Sequence, residues 1–198
     1  MSSASTHPTQ PMARTGQTGR NSTPAGAEPV SLHRECLFDV SSIDLSARVL
    51  SRPELERVNP HRGDMALLDA IVWHSEDYTR GIGLKHTRND EFWVKGHFPG
   101  RPMFPGVLMI EAAAQVAVYL YNARLPEPRL AAFTRIENAA FRASVVPGDD
   151  LYLLCKEVKW SRRGFACDVQ GLVNVHKIAF EARVQGLVLD QSDAAGGR

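Results

Sequence analysis

The feature that most limits what this chain can fold into is a nearly unbroken apolar run, GVLMIEAAAQVAVYLY, from Gly106 to Tyr121. As a helix rising roughly 1.5 Å per residue it is about 24 Å long. It falls short of the ~20 apolar residues a membrane span needs, and it contains Glu111 and Gln115. A helix that is apolar on almost every side has to be surrounded by other elements. The rest of the chain must therefore supply a wrapping.

The flanking segments read as strands. Ahead of the run lie MALLDAIVWH, starting at Met65, and the stretch from Tyr78 to His86; behind it lie Arg129 to Ile136, Asp150 to Trp160, Phe165 to Val173 and Ile178 to Leu189. The links Ser161-Arg162-Arg163-Gly164 and Asn174 to Lys177 are short enough for antiparallel hairpins. Pro147-Gly148-Asp149 turns the chain into the long strand that follows. A short helix is predicted after Pro53, ending at Asn59 and Pro60. The pattern as a whole predicts an α+β fold, a curved antiparallel β-sheet wrapped around a long central α-helix.

Composition bounds the rest. A chain of 198 residues, 43% hydrophobic and 23% charged, suits one folded domain. A formal net charge of +1 gives no bulk electrostatic reason to bind nucleic acid or a membrane surface. From Met1 to about Pro29 the chain is mostly Ser, Thr, Pro, Gly and Gln, with too little apolar surface to offset the entropy of ordering. We expect a disordered tail over residues 1–35, a folded domain over 36–189 and a flexible tail over 190–198. The first segment lacks the apolar core of a signal peptide. Cys36, Cys155 and Cys167 stand at no metal-ligand or redox spacing, which fits a reducing, cytoplasmic setting.

Glu111 and Gln115 are four residues apart and so share one face of the helix. An unpartnered ionised carboxylate in a protein interior costs several kcal/mol, whereas Leu or Ala would continue the helix without that cost. A helix-edge position or a structural ion pair are the plain explanations. Upstream, the Pro- and Gly-rich turn HFPGRP places His97 shortly before the helix. Histidine titrates near neutrality, and a carboxyl in apolar surroundings is expected to have its pKa raised. One base and one acid are what removal of water beside a carbonyl requires. Pro105-Gly106 opens the helix, where free N–H groups stabilise negative charge on that carbonyl oxygen.

The string GHFPGRPMFPGVLMIEAAAQ, Gly96 to Gln115, resembles the active-site signature of the FabZ-type 3-hydroxyacyl-[acyl-carrier-protein] dehydratases of the hotdog-fold superfamily. PHR at Pro60 to Arg62, LLDA at Leu67 to Ala70 and FRASVVPGDDLYL at Phe141 to Leu153 extend the resemblance in the same order. It implies a hotdog fold and a cofactor-free lyase that converts 3-hydroxyacyl thioesters of acyl carrier protein to trans-2-enoyl thioesters in fatty-acid or related lipid synthesis. By position it implies that His97 removes the C2 proton, Glu111 assists departure of the C3 hydroxyl, Gly106 offers its N–H to the thioester carbonyl and Gln115 orients Glu111. Phe98, Met103, Phe104, Pro105 and Met109 would line the acyl tunnel. The resemblance further implies a homodimer, sometimes a trimer of dimers, in which the histidine and carboxylate of one site come from different subunits. Glu at position 111 favours the FabZ branch over the FabA branch, which also isomerises the double bond. Because the carrier protein is acidic in this family, Arg101, Arg142, Lys159, Arg162 and Arg163 are candidates for docking it.

The chain departs from the family pattern at three places. Gly63 and Asp64 stand where an aromatic residue and a proline usually follow His-Arg; Ala70 replaces a usual basic residue; Ala143-Ser144 replace a basic residue and a proline. These positions bear on substrate entry and carrier docking rather than on the chemistry. Two other readings fit the same residues. One is a hotdog thioesterase, in which the helix carboxylate activates water and His97 has no obvious task. The other is a non-catalytic hotdog module that binds acyl groups or a partner, prompted by Gly63, Ala70 and the long N-terminal tail.

Overall fold

The computed structural model describes residues 36–189, and the tails expected at 1–35 and 190–198 lie outside the described residues. In chain order the elements are β1 (Leu50–Ser51), α1 (Arg52–Val58), β2 (Ala70–His74), β3 (Arg80–His86), α2 (Gly106–Asn122), β4 (Ala131–Phe141), β5 (Asp150–Ser161), β6 (Gly164–Val173) and β7 (Lys177–Val188). The strands form one antiparallel sheet in the order β1-β2-β3-β5-β6-β7-β4. This is the α+β arrangement of a sheet around a central helix that the pattern predicts, and the hotdog fold that the resemblance implies.

Several strand ends shift by one or two residues, and β4 runs on to Phe141 instead of ending at Ile136; two further differences each have a local reason. Helix α1 begins at Arg52 rather than after Pro53, since a proline in the first turn sacrifices no helical hydrogen bond. The N–H and hydroxyl of Ser51 both donate to the Glu54 carboxylate, at 2.8 and 2.6 Å, and fix that start. Strand β2 begins at Ala70 rather than Met65. Residues Gly63–Met65 form a 3-10 turn, and the Met65 carbonyl and Leu67 N–H bond to the side chain of Gln115 instead of to a strand.

From Met109 to Asn122 every residue of α2 except Glu111 is buried. The helix packs on β3, β5, β6 and β7. Gly81 and Gly83, alternating on β3, permit its close approach: a Cβ at Gly83 would lie 2.5 Å from Val116 Cγ2, and one at Gly81 2.9 Å from Leu120 Cδ2.

A second apolar cluster joins Phe38 and Val40 to Val72, Ile82, Leu84, Leu154 and Leu172. The Leu37 N–H donates to Gln170 Oε1 at 2.9 Å and ties this segment to β6. Strand β3 is therefore covered on both faces, which is why it is buried at five successive positions, Gly81 to Lys85, instead of alternating.

The Gly83 contact can be tested directly. We expect Gly83→Ala to cost about 1–3 kcal/mol by overpacking, read from urea denaturation, and the added substitution Val116→Ala to recover part of the loss. An unchanged midpoint in Gly83→Ala would contradict the close approach.

Candidate active site

Every hydrogen-bonding group of the Gln115 side chain, 1% exposed, is in use. Its Oε1 accepts from the Leu67 N–H at 3.0 Å, while its Nε2 donates to the Met65 carbonyl at 2.7 Å and to Glu111 Oε1 at 3.0 Å. The two backbone groups decide which way the amide faces, because a flipped amide would set oxygen against oxygen and N–H against N–H. Gln115 is thereby compelled to present an N–H to Glu111.

His61 approaches the same carboxylate oxygen, with Nε2 3.3 Å from Glu111 Oε1. Its loop is held to the helices from several sides. The Arg62 guanidinium donates to the carbonyls of Glu56, Asn59 and His61, at 2.6, 2.7 and 2.7 Å, and Asn59 Nδ2 donates to the Gln115 carbonyl at 2.8 Å. Glu111 retains 22% side-chain exposure, so it is partly rather than wholly enclosed. The His61 ring nitrogen beside it holds its carboxyl below the usual carboxylate range; burial pushes the other way, and the Gln115 N–H adds to the lowering. The raised pKa expected from the apolar run is thus corrected. Two nitrogen partners outweigh desolvation here.

His97 is fixed in one tautomer. Its Nδ1 lies 2.8 Å from the Met103 carbonyl, which can only accept, so Nδ1 carries the proton and Nε2 keeps its lone pair. Backbone bonds from His97 N–H to Trp93 O, 2.8 Å, and from Met103 N–H to His97 O, 2.7 Å, close the loop around it. Phe98 stacks on the imidazole with ring centroids 4.1 Å apart and is exposed on its outer side. Among the described residues no hydrogen bond or ion pair joins His97 to Glu111 within one chain.

Helix α2 starts behind Pro105, which makes no side-chain cap, so the first N–H groups stand at the positive end of the helix dipole. A Cβ at Gly106 would meet Phe141 Cε1 at 2.7 Å, and a larger residue would displace that ring. Of the remaining residues singled out, Phe104 and Met109 are buried in the main core, with Phe104 against Trp93 at 5.3 Å, while Met103 and Pro105 are partly buried. Gly63, at φ +59°, and Asp64 border a cleft of about 340 Å³ together with Arg52, Lys85, Arg88 and Glu91.

The five basic residues do not form one patch. Arg101 lies in the His97 loop, and Arg142, paired with Glu181 at 2.8 Å, directly follows Phe141 at the start of α2. Lys159, Arg162 and Arg163 belong to the β5–β6 hairpin, whose Ser161 and Arg162 carbonyls accept from the Tyr121 hydroxyl at 3.1 Å. That hairpin sits at the other end of the helix, about 25 Å away at ~1.5 Å per residue. Sequence reasoning gave no role to His61. Its only signal was the PHR string, which in a turn carries no periodicity.

Residues 59–182 match the family described as the FabA-like domain. Over 143 residues the chain is 35% identical to a 3-hydroxyacyl-[acyl-carrier-protein] dehydratase FabZ of Geotalea uraniireducens, covering 71% of this chain and 90% of that protein. A protein of the same name from Koribacter versatilis is 36% identical over 140 residues, covering 69% and 88%. Among solved structures, a chain of the dehydratase heterocomplex ApeI:P from Xenorhabdus doucetiae superposes with a TM-score of 0.63 at 14% identity, covering 74% of this chain and 96% of that one. A thioesterase superfamily member from Thermus thermophilus reaches 0.50 at 13% identity, covering 58% and 84%. These two likenesses concern the fold alone.

The depressed Glu111 pKa makes a prediction about acid stability. The folded value lies below the unfolded one, near 4.5, so the stabilisation is present above the unfolded value and is lost as pH falls through the folded one. Between about pH 6 and about pH 3 we expect the chain to lose more stability in urea than its Glu111→Gln variant. Equal pH slopes would contradict the shift.

Proposed function

The chain belongs to the FabA-like family and, within it, to the FabZ-type dehydratases of the hotdog superfamily, and on that premise we propose that it removes water from 3-hydroxyacyl thioesters of acyl carrier protein, giving trans-2-enoyl thioesters in fatty-acid synthesis. The observation that carries the reading is the His97 tautomer, because the Met103 carbonyl occupies Nδ1 and leaves Nε2 as a base. Nε2 takes the C2 proton, the electrons of that bond form the C2–C3 double bond, and the C3 oxygen leaves as water on taking a proton from the carboxylic-acid form of Glu111, the minor form that its lowered pKa leaves near neutrality. The Gly106 N–H meets the growing charge on the thioester oxygen, and Gln115 keeps Glu111 in place. General acid–base groups of this kind contribute roughly 10²- to 10⁴-fold each. A lost oxyanion donor costs about 2.7–4 kcal/mol.

A working site needs a second copy of the chain in this reading. Strand β4 is an edge strand without one buried residue along its length, and it exposes Phe133, Ile136 and Phe141. Such an apolar edge is a template for pairing. Pairing through β4 supports a dimer in which Glu111 meets the partner's His97, alone or in a trimer of dimers. Arg101 and Arg142, at the helix start, suit an acidic carrier protein docking there, and Phe98, Met103 and Pro105 would meet the acyl chain first. The buried thiols of Cys155 and Cys167 fit a cytoplasmic location.

Two experiments test this. With a crotonyl thioester, we expect His97→Ala and Glu111→Gln to lower the hydration rate by roughly 10²- to 10⁴-fold while remaining folded. Release of free thiol would favour a thioesterase, and binding without turnover a non-catalytic module. By sedimentation we expect Ile136→Glu to shift the protein toward monomer with loss of activity; an unchanged oligomer would remove β4 from the interface.

A further inference from the structure

Glu111 is held by two side chains, and they differ in kind. Gln115 is locked by backbone groups on both of its ends, so it can orient the carboxylate but has no freedom to respond to it. His61 is the one titratable side chain in contact with the carboxylate among the described residues. Because its Nε2 faces an anion, that nitrogen is the N–H donor, which leaves the lone pair on Nδ1.

That second nitrogen is the unexplained part. His61 Nδ1 is buried without a hydrogen-bond partner, and so is Asn59 Oδ1. The direction of Asn59 is set by its Nδ2, which donates to the Gln115 carbonyl at 2.8 Å. Both residues line one small cavity of about 10 Å³, shared with Arg52, Leu55, Glu56 and Gln115. This is close to the least volume that holds a single water. Two unpartnered acceptors on residues that line one such cavity match the two hydrogens of one water.

The other charged groups near the pair are already engaged. From α1, Arg52 and Glu56 pair with each other at 3.7 Å beside the cavity, and Arg62 spends its guanidinium on three carbonyls. From α2 the facing ionisable group is Glu111 itself. Asp64 lies on the neighbouring turn, lining the larger cleft.

We propose that His61 is the positioning residue that sets both the orientation and the ionisation of Glu111, and that one water bridging His61 Nδ1 and Asn59 Oδ1 holds the imidazole to that task. The proposal rests on the dehydratase reading, in which Glu111 works as a carboxylate toward water in the hydration direction and as its conjugate acid in dehydration. Without the donor at Nε2, the carboxylate faces the same desolvation with one partner fewer, and its proton affinity rises.

The test compares the full-length chain with His61→Ala and His61→Gln; the glutamine restores an N–H near the Nε2 position without an imidazole. The acid limb of kcat/KM for hydration of a crotonyl thioester, and the ¹³C carboxyl titration of Glu111, are both expected to move to higher pH in His61→Ala and to return toward the parent in His61→Gln. In His61→Ala kcat is expected to fall about 10²-fold, the scale of a small misplacement of a reacting group. A crystal structure is expected to show one water within hydrogen-bond distance of His61 Nδ1 and Asn59 Oδ1. Superimposed acid limbs in parent and His61→Ala, or a glutamine variant no closer to the parent than the alanine one, would overturn the role; an empty cavity would overturn the bridge. If Glu111→Gln itself retains full activity, the dehydratase reading fails first. If Glu111→Gln is inactive while His61→Ala is unaffected, only the present inference fails.

Discussion

The side-chain amide of Gln115 is the contact on which the site depends. Its three hydrogen bonds join the middle of α2 to the backbone at Met65 and Leu67 and to the carboxylate of Glu111. A buried amide left unsatisfied costs about 1–3 kcal/mol per group, so the helix and the turn at residues 63–67 are held in one relative position. That position brings His61 within reach of Glu111. The same bonds that satisfy a polar group in an apolar helix therefore also bring His61 and Glu111 together.

The pattern repeats along the helix. Two turns beyond Gln115, Asn122 donates to the carbonyls of Val58 and Arg129, at 3.0 and 3.2 Å, and accepts from the Arg129 N–H at 3.1 Å. Asn59 returns a bond from the loop after α1 to the Gln115 carbonyl. The polar residues of an otherwise apolar helix thus serve as attachment points for the loop that follows α1. Low local dielectric strengthens each bond and raises the penalty for losing it. Rigidity at Glu111 follows from that network rather than from the helix alone.

The sheet accounts for the remaining geometry. Its central strands are covered on one side by α2 and on the other by the segment around Phe38 and Val40. Gly81 and Gly83 let the helix sit close to β3, while β4 at the sheet edge has no buried residue at all. A strand so exposed and so apolar contrasts with the double burial of β3, and an edge of that kind is open to pairing.

How much of this was legible beforehand depended on sequence separation. The central helix, the hairpin partners of β5, β6 and β7, and the string carrying His97, Gly106, Glu111 and Gln115 could be read from the chain, because each expresses local periodicity, turn chemistry or a contiguous motif. The ionisation of Glu111 could not, since it depends on His61, fifty residues earlier in the chain, and on groups that Gln115 reaches across 48 and 50 positions. Nor could the sequence tell that Lys159, Arg162 and Arg163 fall at the far end of α2 from Arg101 and Arg142. Apolar order along the chain decided that a helix would be enclosed and which motif would lie at its start. Only the folded packing, by bringing distant nitrogens against one carboxylate, decided how that carboxylate is charged.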